Sequence, residues 1–233
     1  MTREEFKELA EQYIYLDGAT GSNLVKAGMP SGVCPESWIL ENRDVLVELQ
    51  RQYVQAGTDI LYAPTFTANR VKLAEYGIAD RQSSMIRELV ALSKEAASTA
   101  EDRRVLVAGD LTMTGEQLKP MGNMELEELI DIYKEQIREL EAAGADLLVV
   151  ETMMSLGEAR AALIAAKEVC GLPVMVTMTF EPDGRTLYGT DAKSAAIVLE
   201  SLGACAVGVN CSTGPAAMRK IIEDMAGVTK GIS

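Results

Sequence analysis

One pattern occurs three times in this chain: a helix end, a glycine, a short polar step, a continuous apolar run and a polar tip. It reads Ala56-Gly57-Thr58-Asp59-Ile60-Leu61-Tyr62-Ala63-Pro64-Thr65, then Ala143-Gly144-Ala145-Asp146-Leu147-Leu148-Val149-Val150-Glu151-Thr152, then Leu202-Gly203-Ala204-Cys205-Ala206-Val207-Gly208-Val209-Asn210-Cys211. A glycine at the end of a helix supplies the left-handed conformation that stops it. An unbroken apolar run signals a strand covered on both faces, as in a parallel sheet. Three further strand candidates alternate with the repeats: Tyr13 to Asp17 precedes the first, and Val105 to Asp110 and Val174 to Phe180 lie between them. Apolar residues at three- and four-residue spacing predict helices over 44–56, 125–143, 158–169 and 192–202.

Six strands alternating with helices imply an α/β fold with a parallel sheet. No strand is followed by a G-x-G-x-x-G fingerprint, and Gly18-Ala19-Thr20-Gly21-Ser22-Asn23 lacks the lysine of a P-loop. The repeat on strands two, four and six favours a (β/α)8 barrel of the TIM type, whose alternate strands contribute equivalent layers. Only about six of its eight βα units are legible. The sixth strand ends at Cys211, and the 22 residues after it suffice for one helix, Pro215 to Ala226. The expectation is therefore one barrel domain over 1–233, incomplete at its C-terminus, with open edges through which chains associate.

Composition narrows the chemistry. The chain contains no histidine, which removes imidazole bases, Ser-His and Cys-His pairs and mixed Cys/His metal sites. A net charge of -13 repels phosphate backbones, so nucleic acid is not an expected partner. No apolar run approaches the roughly 20 residues of a membrane span. The charged segment from Met1 to Gln12 lacks the apolar stretch of a signal peptide, so a soluble, cytoplasmic protein without a membrane partner is expected. Cys34, Cys170, Cys205 and Cys211 form no C-x-x-C; free or metal-bound thiols are expected rather than a disulfide framework.

In α/β barrels the C-terminal strand ends build the site. The tips here are Asp17-Gly18-Ala19-Thr20, Thr65-Phe66, Asp110, Glu151-Thr152, Thr179 and Asn210-Cys211. Each also has a plainer reading. Cys211 could be a small core residue, Glu151 a structural salt-bridge partner, Asp17 a turn former and Asn210 a hydrogen-bonding partner of nearby loops. Cys205 lies six residues before Cys211, about 20 Å away along an extended strand, too far to share a metal ion. Cys34, in the loop Gly32-Val33-Cys34-Pro35-Glu36, reads as a packed thiol.

Taken in order, five motifs resemble the homocysteine S-methyltransferase family. They are Leu16-Asp17-Gly18-Ala19-Thr20-Gly21; Ala56 through Thr65-Phe66-Thr67-Ala68-Asn69-Arg70; Asp146 through Glu151-Thr152; Gly184-Arg185-Thr186-Leu187-Tyr188-Gly189-Thr190; and Val207-Gly208-Val209-Asn210-Cys211. The similarity is greatest to the homocysteine-binding barrels that receive their methyl group from a cobalamin. It implies zinc-dependent methyl transfer to the thiol of homocysteine, giving methionine, with methylcobalamin carried on a separate corrinoid domain or protein.

The resemblance casts Cys211 as the first of three zinc-binding cysteines. The other two form a Gly-Gly-Cys-Cys pair that this sequence does not contain. It casts Glu151 as the partner of the substrate amino group and Asp17, Gly18, Ala19 and Thr20 as the loop against which homocysteine lies. Thr65, Phe66 and Asn210 complete the substrate set, with Cys211 and Glu151 as the catalytic pair. Ala63-Pro64 and the stretch from Gly109 to Gly115 depart from the family's usual forms. Two alternatives stay open: the same fold using S-methylmethionine or a betaine as donor, and a non-catalytic fragment or subunit that needs a complementing chain.

Overall fold

A computed structural model describes residues 1–229. In chain order the elements are α1 (Arg3–Leu9), α2 (Gly21–Lys26), α3 (Pro35–Glu41), α4 (Arg43–Ala56), β1 (Ile60–Tyr62), α5 (Arg70–Glu75), α6 (Gln82–Ala97), β2 (Leu106–Leu111), α7 (Leu126–Ala142), β3 (Leu147–Met153), α8 (Leu156–Val169), β4 (Val174–Met178), α9 (Ala192–Ser201), β5 (Ala206–Val209) and α10 (Pro215–Ala226). The five strands form one sheet in the order β1-β2-β3-β4-β5, and every pairing is parallel. This is the α/β architecture expected, with an open rather than closed sheet among the described residues. No helix among them is long and apolar enough to cross a membrane.

The repeat performs the task its composition implied. Gly57, Gly144 and Gly203 have φ of 105°, 85° and 98°, a region costly for residues with a Cβ, and each turns the chain from a helix into the next strand. The aspartate two residues later then stitches that strand to its predecessor. Asp59 Oδ2 accepts the Tyr15 N–H at 2.8 Å, and Asp146 Oδ2 accepts the Val107 N–H at 2.9 Å. The third copy has Cys205 there and keeps only the backbone bond common to all three, from the Cys205 N–H to the Val174 carbonyl at 2.8 Å.

One expectation is corrected. The strand expected over Tyr13 to Asp17 is only a single parallel bridge, Leu16 to Ile60. Among the described residues it has a neighbour on one side alone, and Tyr13 remains 92% exposed; a lone pairing with little burial does not sustain a regular strand. The expected six strands are therefore five and a bridge. The structure also adds α2, α3, α5 and α6. In α6 the buried residues Met85, Ile86, Leu89, Val90, Ser93 and Ala97 follow the helical period.

Alternation along the strands divides the core in two. Leu61, Val107, Leu111, Leu148, Val150, Val176, Met178 and Val207 face the helices in one large cluster. Ile60, Leu106, Ala108, Leu147, Val149 and Met175 form a second cluster on the opposite, concave face, with Phe6 of α1 packed among them. Side chains two residues apart share a face, so this division decides which tips can meet.

Candidate active site

Continuing the concave column by two residues on each strand changes its chemistry from apolar to polar. After Ile60 comes Tyr62, after Ala108 comes Asp110, after Val149 comes Glu151 and after Met175 comes Thr177. Asp110 Oδ1 and Thr177 Oγ1 are sealed from solvent without a hydrogen-bond partner. A polar layer thus sits on an apolar floor at the C-terminal strand ends. Tyr62 and Thr177 escaped the sequence reading, which took only the last residue of each run; strict alternation was the signal that could have found them.

Above that layer, Asn210 joins the two most suggestive tips. Its Nδ2 donates to Glu151 Oε2 at 3.2 Å and to Thr152 Oγ1 at 2.9 Å. Cys211 Sγ lies 3.5 Å from the same nitrogen and 3.6 Å from Thr152 Oγ1. Asn210 Oδ1 in turn accepts the Thr152 N–H at 3.1 Å, and Thr179 Oγ1 donates to the Asn210 carbonyl at 3.1 Å. One amide therefore spans a carboxyl and an exposed thiol. Thr152, Cys211 and Ser212 adopt φ of 58°, 60° and 60°. For a β-branched threonine this is a genuine outlier, and such strain persists where surrounding bonds over-determine it.

Asp17 joins from the leading extended segment, where its Oδ2 accepts the Tyr62 N–H at 2.9 Å. Burial pushes its carboxyl up to about 7; the Tyr62 N–H opposes that rise, and the nearby Glu151 adds to it. Burial likewise pushes Glu151 up to about 7, against a hydrogen bond from Asp110. Asp110 lies well above the usual carboxylate range, first through burial and then through Glu151 and Asp17 beside it. The concave face thus gathers acids with perturbed protonation, a recurrent property of functional sites.

The remaining expected residues divide between shaping the mouth and building its walls. Gly18 admits the ring of Tyr53, whose hydroxyl donates to the Ala19 carbonyl at 3.0 Å; Asn23 Nδ2 reaches the same carbonyl at 2.6 Å. Thr20 directly precedes α2. A Cβ at Gly18 would stand 2.8 Å from the Tyr53 oxygen, whereas one at Gly21 would meet nothing within 4 Å. Gly18→Ala is therefore expected to cost about 1–3 kcal/mol by overpacking, and Gly21→Ala to stay within about 0.5 kcal/mol, as read by denaturant unfolding. Equal effects from the two would refute this account of the loop.

Thr65 is buried, and its hydroxyl is already committed. It donates to the Asp110 carbonyl at 2.8 Å and accepts the Asp110 N–H at 3.0 Å, while Gln136 Nε2 holds the Thr65 carbonyl at 2.9 Å. Phe66 is partly buried in the following turn. Cys34 is buried, with its thiol 3.4 Å from Glu36 Oε2, as a packed thiol should be. Burial pushes Cys205 up to about 12. Among the described residues no group of three Cys, Asp or Glu side chains is placed to hold a metal ion. A three-thiolate centre is thus not met by these residues, of which Cys211 supplies one sulfur.

Comparison with known proteins places this geometry in context. A family model described as homocysteine S-methyltransferase matches residues 14–233. The methionine synthases of Mycobacterium leprae and Mycobacterium tuberculosis are each 30% identical over 230 residues, covering 93% of this chain and 19% of the relative. The chain thus spans about a fifth of the length of these curated relatives. Among solved structures, the metallated form of the homocysteine methyltransferase MmuM from Escherichia coli superposes with a TM-score of 0.81 at 21% identity, covering 95% of this chain and 82% of that one. The carboxyl transferase domain of Rhizobium etli pyruvate carboxylase, with pyruvate and biocytin, aligns over 98% of this chain and 36% of that one, at 16% identity and a TM-score of 0.56. Both likenesses concern the fold.

Proposed function

Because the chain belongs to the homocysteine S-methyltransferase family, we propose that it is one substrate-binding barrel unit that presents the thiol of homocysteine for methylation. The carrying observation is the Asn210 amide, which ties Glu151 to Cys211 and so sets a carboxyl beside a metal-seeking sulfur. An amino-thiol substrate has the complementary ends. Its ammonium would pair with Glu151, assisted by Asp17, while its sulfur would approach Cys211. Gly18, Ala19 and Thr20 would flank the substrate, and Phe66 would close the apolar side. Such two-ended fixation orients the sulfur toward an incoming methyl group.

Zinc belongs to this reading as the group that keeps the substrate sulfur deprotonated. Cys211 would be one of its ligands, with the other two drawn from outside the described residues. Methylcobalamin on a corrinoid domain or protein is the donor that the motif set favours, and the methionine synthase relatives support it. The chain's own contribution is to bind and orient homocysteine, and to hold the Cys211 sulfur through Asn210 and Thr152.

Calorimetry with L-homocysteine and N-acetyl-homocysteine tests the reading. Saturable binding of the first, weakened at least about tenfold when acetylation removes the ammonium charge, is the expected result; equal binding of both, or of neither, would overturn it. On dialysis the chain alone is expected to retain little zinc, because one thiolate is a quarter of a tetrahedral shell. Stoichiometric tight zinc by elemental analysis would contradict that. With the remaining two thiolates supplied, methionine should form from methylcobalamin; formation only from S-methylmethionine or a betaine would change the donor.

A further inference from the structure

The concave polar layer holds more acid than one ammonium group requires. Asp110 and Glu151 occupy neighbouring strands, each one step beyond the apolar column. The parallel register that pairs Asp110 with Val149 places Glu151 just past it. Asp110 is 5% exposed, and its backbone N–H and carbonyl are both held by the Thr65 hydroxyl. The titratable groups facing it are Glu151 from β3, Asp17 from the leading segment and Glu36 from α3. Tyr62 of β1 adjoins Asp17, Asp110 and Glu151. All of these are acids or a phenol. Neighbouring carboxyls in such a setting each disfavour ionisation of the other, so the second charge is the costlier one to form.

The hydrogen bonds decide which member carries the proton. Glu151 Oε2 accepts from the Asn210 amide, an interaction that favours the ionised form. Asp110 Oδ1 is sealed without any donor, which favours the neutral acid. We propose that Asp110 is a positioning residue, which holds one proton against Glu151 and so presents Glu151 as the anion that receives the substrate ammonium. Asp110 itself does not touch substrate. It fixes the orientation of Glu151 and prevents the site from accumulating a second buried charge.

The proposal rests on the homocysteine reading for the identity of the ammonium, but the proton can be located without any ligand. In the full chain labelled with ¹³C at Asp and Glu carboxyls, the Asp110 signal is expected to remain that of a protonated acid through neutral pH. Glu151→Gln should replace the coupled two-step titration by a single step for Asp110. L-Homocysteine affinity at pH 7 should stay within about threefold of the parent in Asp110→Asn, whose amide still donates to Glu151. It should fall by about tenfold or more in Asp110→Leu, with the pH midpoint of binding moved upward, because Glu151 then lacks the donor that stabilises its charge. An Asp110 carboxylate already ionised between pH 5 and 7 would overturn the proposal, as would Asp110→Asn binding as weakly as Asp110→Leu. Should the parent chain bind no homocysteine, the substrate reading fails, and the carboxyl titration still decides whether the pair shares its proton. The same titration on the parent stands if Asp110→Leu does not fold.

Discussion

Glu151→Gln is expected to weaken L-homocysteine binding by about 10- to 100-fold at pH 8 and, in the same protein, to raise the free energy of unfolding by about 1–3 kcal/mol. The first effect removes a charge-assisted hydrogen bond to an ammonium, worth about 1.5–3 kcal/mol, where 1.4 kcal/mol is tenfold in affinity. The second follows from protonation linkage. Burial raises the Glu151 carboxyl from 4.5 to about 7, so between those values the folded chain binds more protons than the unfolded one, and its stability declines as pH rises. Below about pH 4.5 both states carry the neutral acid and the linkage contribution is fully present; above about pH 7 it is lost. Glutamine has no such dependence. The parent and the variant should therefore converge in stability near pH 4 and separate by pH 8. Asp17, also raised to about 7 chiefly by burial, adds a decline of the same sign in both proteins. Urea unfolding at the two pH values, beside calorimetry at pH 8, checks the pair of effects. A variant that loses stability at pH 8 would show that Glu151 is a structural partner and not a charge held for a ligand.

Glu158→Ala should cost about 3–5 kcal/mol of stability, whereas Glu158→Gln should cost about 1 kcal/mol. Glu158 projects from the first turn of α8 and is buried. Its Oε1 accepts the Thr114 N–H at 2.6 Å and the Thr114 hydroxyl at 2.8 Å. The Tyr133 hydroxyl lies 3.0 Å from that oxygen and 3.0 Å from the Thr112 carbonyl. Alanine leaves a backbone N–H and two hydroxyls facing a void, and removing one member of a buried network costs far more than its net contribution suggests. Glutamine keeps an acceptor oxygen. Because burial is the largest influence on Glu158 and raises its carboxyl despite those donors, a neutral substitute loses little. The same network reaches the site, since Thr112 Oγ1 donates to the Glu151 carbonyl at 2.9 Å. Homocysteine affinity should fall with stability in Glu158→Ala and be preserved in Glu158→Gln. Denaturant unfolding that shows less than about 1 kcal/mol for the alanine variant would contradict this role for the network.

Much of the arrangement was legible in the residues themselves. The helix-stopping glycines at 57, 144 and 203 located three strands, and the tips that followed them supplied Glu151, Asn210 and Cys211. The aspartates of the first two repeats were visible too, though their bonds to Tyr15 and Val107 were not. Thr65 illustrates the opposite case. Its position at a strand end was visible, whereas the bond from its hydroxyl to Asp110, across 45 positions of sequence, was not. No local pattern announces a bond over that distance. The leading segment from Tyr13 to Asp17 has strand composition, but whether it becomes a strand depends on neighbours on both sides, and among the described residues it has one.

The sequence by itself determined the βα alternation, the faces of each strand and the family, because periodicity, helix stops and ordered motifs are properties of consecutive residues. Only the tertiary structure decided that Asp110 lies against Glu151, that Asn210 spans the carboxyl and the Cys211 thiol, and that Thr152, Cys211 and Ser212 are held in left-handed backbone. Those relations depend on the register between parallel strands, the irregularity in β3 between Val150 and Met153 and the depth of burial. Each is set by packing between segments far apart in the chain, and burial is what raises three ordinary carboxyls above the usual range.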